Sequence, residues 1–150
     1  MLAVPLAALT CNLAAAKAVV RSTRLTIPAS QSGSGGPYRI SPGDIDGTIC
    51  FPLPGKRQAM VLTVGSGGTA GDIDWAVYVS SAGGWKLALV RGGYKLGLVR
   101  KGADIVETDP IYKKNDPNCC PSGGFAHTRW HWNGRKFTAV RAWRDSKYQE

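Results

Sequence analysis

The chain has 150 residues, 43% of them hydrophobic, with 19 glycines and 9 prolines. This is the length of one domain that can bury a core without obligatory staples, and its glycine and proline content argues against a helical bundle and for a strand-rich fold. Nineteen basic against 10 acidic residues leave a net charge of +9; this favours anionic neighbours such as nucleic acid, lipid headgroups or wall polymers, but the basic residues spread from Lys17 to Lys147 without a dense run, so solubility alone is the simpler account.

Residues 1–22 form an apolar N-terminal segment with two readings. Residues 2 to 16 suit the apolar part of a signal peptide, with Ala14 to Ala16 as a small-residue cleavage site. They are too short and too polar to span a membrane. The competing reading is a helix that starts with Thr10 or Asn12 as N-cap and ends in a basic turn at Arg21. Leu9-Thr10 fits poorly as the approach to a lipid-anchored Cys11.

An antiparallel β domain is expected over residues 23–143, followed by a polar tail, 144–150. Thr23 to Ile27 alternates polar and apolar residues and reads as a strand, ended by Pro28. Residues 29–37 are Gly/Ser-rich and read as a flexible loop, and Tyr38 to Ile40 as a short edge strand. Gln58 to Val64 is a continuous apolar run and reads as a central strand covered on both faces. The Gly-rich residues 65–71 lack a Gly-Lys-Ser/Thr ending and read as a plain loop before the strand Trp75 to Val79.

A tandem repeat of nine follows: Gly83-Gly84-Trp85-Lys86-Leu87-Ala88-Leu89-Val90-Arg91, then Gly92-Gly93-Tyr94-Lys95-Leu96-Gly97-Leu98-Val99-Arg100. It predicts a hairpin turning at Gly92-Gly93, with Arg91 opposite Tyr94 and Leu89 opposite Leu96. Its apolar face would carry Trp85, Leu87, Leu89, Leu96 and Leu98. Asp104 to Thr108 is another strand. Thr128, Trp130 and Trp132 share one face of the next strand and His127, Arg129 and His131 the other. Asn133-Gly134 signals a primed turn back into Arg135 to Arg141.

The cysteines are Cys11, Cys50, Cys119 and Cys120. There is no Cys-x-x-Cys pair, which disfavours a zinc site. A Cys-Cys dipeptide in a Pro/Gly turn suits an exported domain with bridges reaching outward, and the expected pairing joins Cys50 to Cys119 or Cys120. A bridge within the dipeptide is uncommon.

Chemistry is thinly signalled. Gly-Asp-Ile-Asp occurs twice, at 43–46 and 71–74. It resembles the opening of a calcium loop, but Thr48 to Pro52 supply no further ligands, so an Asp-Gly turn is the plainer reading. His127 and His131, about 13 Å apart along a straight strand, cannot clamp one ion together. Ser122, His127 and Asp116 could be written as a triad, but no nucleophile elbow supports it. Arg129, Trp130, His131 and Trp132 could form a ligand surface; Trp at alternating strand positions is more simply core.

The segment Asn115-Asp116-Pro117-Asn118-Cys119-Cys120-Pro121-Ser122-Gly123-Gly124, with Trp130-His131-Trp132-Asn133-Gly134 after it and Gly43-Asp44-Ile45-Asp46-Gly47 before, resembles the LppP/LprE-type family of bacterial secreted lipoproteins over residues 38–143. The resemblance implies an exported, anchored domain of undefined activity, and it supplies no catalytic residues.

The expectation is therefore a single α+β or mostly-β domain, an antiparallel meander with an N-terminal helix. Its expected role is non-enzymatic: an exported cell-envelope protein that binds a ligand or partner through its sheet or loops, without catalytic, metal or cofactor-binding residues. Nucleic acid is not the expected partner, and membrane contact would come only through a lipid anchor. Two alternatives stand beside this. One is a metal-dependent hydrolase using Asp44, Asp46, Asp72 or Asp74. The other is a binder of anionic polymer through Lys86, Lys95, Arg100, Lys101, Arg129, Arg135 and Lys136. A pocket lined by convergent polar groups would count towards processing, an exposed aromatic patch towards binding.

Overall fold

The computed structural model describes residues 9–31, 36–68 and 70–148. About 52% of the described residues are strand, against one 11-residue α-helix among them, so the fold is mostly β. The helix α1, Leu13–Thr23, begins where Asn12 Oδ1 accepts from Ala15 N at 2.8 Å, and ends at Arg24 in a left-handed conformation. Of the two N-terminal readings, the helix is the one formed over these residues; residues 2–8 of the signal-peptide reading lie outside the described residues. Among the described residues no helix is long and apolar enough to cross a membrane.

Two short strands, β1 (Thr26–Ile27) and β2 (Tyr38–Arg39), pair as a ribbon beside the helix. Then come two four-stranded antiparallel meanders. The first holds β3 (Ile45–Leu53), β4 (Arg57–Gly65), β5 (Asp72–Ser81) and β6 (Gly84–Gly92) in that order. The second holds β7 (Gly97–Lys101), β8 (Asp104–Pro110), β9 (Phe125–Trp132) and β10 (Phe137–Asp145), also in chain order.

The first sheet is covered on both faces, which is why β4 and β5 are apolar without alternation. Met60, Leu62, Val64, Ala76 and Tyr78 pack towards Ala16 and Val20 of α1 and Ile27 of β1. Ala59, Val61, Trp75, Val77 and Val79 pack towards Ile105, Trp132 and Phe137 of the second sheet. The molecule is thus three layers: helix and ribbon, first sheet, second sheet. The disulfide Cys11–Cys50, 39 residues apart in sequence, ties the start of α1 to β3.

The 83–100 hairpin is not formed. β6 pairs with β5 through a tight turn at Ala82-Gly83, and β7 pairs with β8 in the other sheet. Gly92-Gly93 begins the crossover between sheets. Gly93 N donates to Ile73 O, Lys95 N to Ala70 O and Leu96 N to Asp72 O. The doubly covered β5 needs a partner on each edge, and β6 supplies the second. The expected single apolar face fails too: a bulge between Val77 and Tyr78 opposite Leu87–Leu89 switches the alternation, so Trp85 packs on the helix side, Leu89 between the sheets, and Leu87 is exposed.

The 127–141 hairpin is formed, with Trp132 opposite Phe137. Its connection is the longer Asn133–Lys136 loop, in which Asn133 Oδ1 accepts from Arg135 N and Lys136 N. β10 continues to Asp145, and Tyr148 lies edge-on to Phe125, so the polar tail begins later than Arg144.

Candidate functional site

At one end of the two sheets the loops enclose an open cleft of about 760 Å³. One wall is acidic and comes from both Gly-Asp-Ile-Asp copies: Asp44, Asp46 and Asp72, with the glycines of 65–71 between them. The opposite wall is largely apolar: Pro110, Tyr112, Cys119, Pro121, Phe125 and Tyr148. Lys95 and Leu96 of the crossover line the cleft between them.

β-bulges decide which carboxyls face it. In β3 the register skips Asp46, between Ile45 opposite Val64 and Gly47 opposite Thr63. In β5 it skips Ile73, between Asp72 opposite Gly65 and Asp74 opposite Val64. An unbroken strand would hold Asp72 and Asp74 on one face. The bulge sends Asp72 into the cleft and leaves Asp74 on the helix side, buried, where the Tyr38 hydroxyl donates to it. Gly65 makes room for this pairing, since a Cβ there would sit 2.9 Å from Asp46 Oδ2.

Asp46 and Asp72 meet directly. Thr63 Oγ1 donates to Asp46 Oδ1 at 2.6 Å. Asp72 hydrogen-bonds the Asp46 carboxyl, and burial together with that bond and the neighbouring charge raises its pKa to about 7. Such a pair holds a proton near neutrality and can accept bonds from a cationic or hydroxylated group. Among the described residues no group of three or more His, Cys, Asp or Glu is arranged to hold a metal ion.

The apolar wall is the loop between β8 and β9. Asp116 Oδ2 accepts from Lys113 N, Ser122 N and Ser122 Oγ, which holds its carboxyl below the usual range. Asn118 receives three side chains: Tyr94 Oη donates to its Oδ1, and Lys95 Nζ (2.6 Å) and Tyr112 Oη (2.7 Å) donate to its carbonyl. Ile111 and Gly124 bond the two ends together, N to O at 2.9 Å. At the tip, Cys119 and Cys120 are bridged to each other. The expected Cys50 partner is instead Cys11: α1 lies on the first sheet beside β3 and brings Cys11 within 6.1 Å, Cα to Cα, of Cys50.

The remaining sites suggested by sequence are placed elsewhere. Trp132 is buried between the sheets and the half-buried Trp130 packs against the same cluster, edge-on to Trp75, so both indoles contribute to the core. Arg129 and His131, on the other face, both bond Asp104, at 2.6 and 2.7 Å. Ser122 and Asp116 bond each other, while buried His127 bonds Thr108 Oγ1 and Asp145 Oδ1 at 2.8 and 2.7 Å and stacks on Trp143. Thr108 is itself buried, so this Thr-His-Asp line offers no exposed nucleophile.

Sequence reading missed a buried network between the sheets. Glu107, fully buried, accepts from Trp75 Nε1 and from Arg91 Nε and Nη2, at 3.3 and 3.0 Å for the latter two, and Arg91 also stacks over Trp130. Beside it burial and Glu107 raise the Asp109 pKa to about 7. No local pattern announces the Trp75–Glu107 and Arg91–Glu107 contacts, because each joins residues from different strands. The fold and site define a mostly-β, disulfide-containing domain with an amphipathic cleft. No protein-family model, curated protein or solved structure matches the chain.

Proposed function

We propose that this is an extracytoplasmic ligand-binding protein whose ligand seats in the cleft at the loop end of the sheets. The observation that carries it is the two-walled cleft, with Asp46 and Asp72 facing Tyr112, Phe125 and Tyr148 across about 760 Å³. That volume suits a small molecule. An acidic wall in a chain of net charge +9 favours a ligand with a cationic or hydroxyl-rich end and an apolar body. Export is supported by the Cys11–Cys50 disulfide and by the LppP/LprE-type resemblance. Binding thus belongs to the loops and not to the Trp130–Trp132 strand.

A thermal-shift screen with small amines and sugars tests this. A stabiliser of the wild type that leaves Asp72→Asn and Tyr112→Ala unmoved is expected, because only the folded state binds. Stabilisation that survives both substitutions would move the site elsewhere.

The hydrogen-bonded Asp46–Asp72 pair favours a second reading, hydrolysis by a carboxyl acid and base. The metal-dependent form of it has less support, since Asp74 faces away from the cleft. Turnover of chromogenic glycosides or esters, abolished by Asp72→Asn and indifferent to chelator, would establish the acid–base form; absence of turnover would leave binding.

A further inference from the structure

The two disulfides differ in what they can do for the fold. Cys11–Cys50 spans 39 residues and joins two layers, and Cys11 packs against the helix-side core. Cys119–Cys120 spans one residue and encloses no chain beyond its own peptide bond. A bridge stabilises mainly by closing a loop of the unfolded chain, so this one contributes almost nothing by that route. It is also placed differently. Both residues are exposed, and Cys119 lines the cleft. The loop around them is held without it, by Asp116 on one side, Asn118 in the middle and Gly123-Gly124 bonded to Ile111 on the other.

We propose that Cys119–Cys120 is a thiol-exchange site on the rim of the cleft, taking electrons from a thiol-bearing partner while the fold stays intact. An incoming thiolate attacks Cys119 Sγ, the sulfur on the cleft side. A bond forms between the two sulfurs, the Cys119–Cys120 bond breaks, and Cys120 leaves as a thiolate. If the partner carries a second thiol, that thiol attacks the mixed disulfide. The partner departs oxidised, with one disulfide, and the protein keeps two thiols; two electrons and two protons have passed to it. Lys95, whose ammonium is bonded to the Asn118 carbonyl, places positive charge one residue from Cys119 and favours the Cys119 thiolate that the partner's second thiol releases. Exposure is the property that separates exchangeable bridges from structural ones. The proposal goes beyond ligand binding and does not depend on it, since the chemistry needs only access to Cys119.

The test is graded reduction of the folded, full-length protein with dithiothreitol, followed by alkylation and peptide mass mapping. Cys119 and Cys120 should be labelled at roughly a tenth or less of the reductant concentration that opens Cys11–Cys50, with unchanged tryptophan fluorescence. Cys120→Ser, challenged with oxidised glutathione, should trap a mixed disulfide on Cys119. Opening of Cys11–Cys50 first, opening of Cys119–Cys120 only on unfolding, or four free thiols after oxidative refolding would each overturn the proposal. None of these outcomes bears on whether small molecules bind the cleft.

Discussion

Single residues set the chemistry of the cleft, and Asp72 is the one with a measurable signature. Its unfolded carboxyl ionises near the ordinary value, whereas in the fold it keeps its proton up to about 7. Its contribution to stability is therefore fully present below the unfolded value and lost as pH rises through about 7. Asp109 acts in the same direction. Asp104, Asp116 and Asp145, all lowered by their partners, act in the opposite one and lose their contribution on acidification. Asp72→Asn should therefore gain stability relative to wild type between about pH 5 and about pH 8, by about 1 kcal/mol after discounting for solvent screening. Parallel urea curves across that range would contradict the shared proton. Gly124 is the matching backbone position. Its φ is +77°, and a Cβ there would lie 2.4 Å from the Asp145 carbonyl oxygen. Gly124→Ala should cost upwards of about 2 kcal/mol in urea denaturation. The glycine could be read from sequence only as turn chemistry, because Asp145 is 21 residues away.

Secondary-structure elements were more legible than their partners. The central strand over 58–64, the short strand at Tyr38 and the Asn-Gly hairpin follow from local pattern, and the helix over Leu13–Thr23 is one of the two readings that pattern allowed. The strand expected over Thr23 to Ile27 shrinks to Thr26–Ile27, because Thr23 still belongs to the helix and Arg24 caps it in a left-handed conformation. The larger failure was pairing. The nine-residue repeat gives two good strands, and nothing within it says that they belong to different sheets. The interface between those sheets holds Glu107, and its removal strands the Arg91 guanidinium and the Trp75 indole N–H. Glu107→Ala should lower stability by about 3 kcal/mol, read as a shift in urea midpoint without change in slope. The two bridges differ in the same measurement. Replacing Cys11 and Cys50 by serine should cost about 2–4 kcal/mol because a long loop is released, while replacing Cys119 and Cys120 should leave the midpoint nearly unchanged.

At the scale of the whole molecule the charge is unevenly used. Three of the acidic residues face one cleft, while the basic residues proposed for anionic polymer lie on β6, on β7, in the crossover, on β9 and in the β9–β10 loop. Arg129 is engaged with Asp104 and Lys95 with Asn118. A protein of net charge +9 should be retained on heparin resin at low salt and elute steeply as salt rises. Charge-reversing the Arg135–Lys136 tip should shorten retention without touching cleft ligands. Elution indifferent to salt would remove the polymer reading.

Composition and periodicity by themselves pointed to a strand-rich antiparallel fold, because turn residues and alternation act over a few neighbours, and they left the N-terminal helix beside a signal-peptide reading of the same residues. The doubled Gly-Asp-Ile-Asp was visible, but its meaning was not. Only tertiary structure decided that one bulge in each copy turns Asp46 and Asp72 onto one another and sends Asp74 away. Only tertiary structure decided the cysteine pairing, since α1 must first dock on the first sheet to bring Cys11 to Cys50. That leaves Cys119 and Cys120 to each other. Each of these outcomes depends on distances between residues far apart in the chain, and a linear pattern carries no record of them.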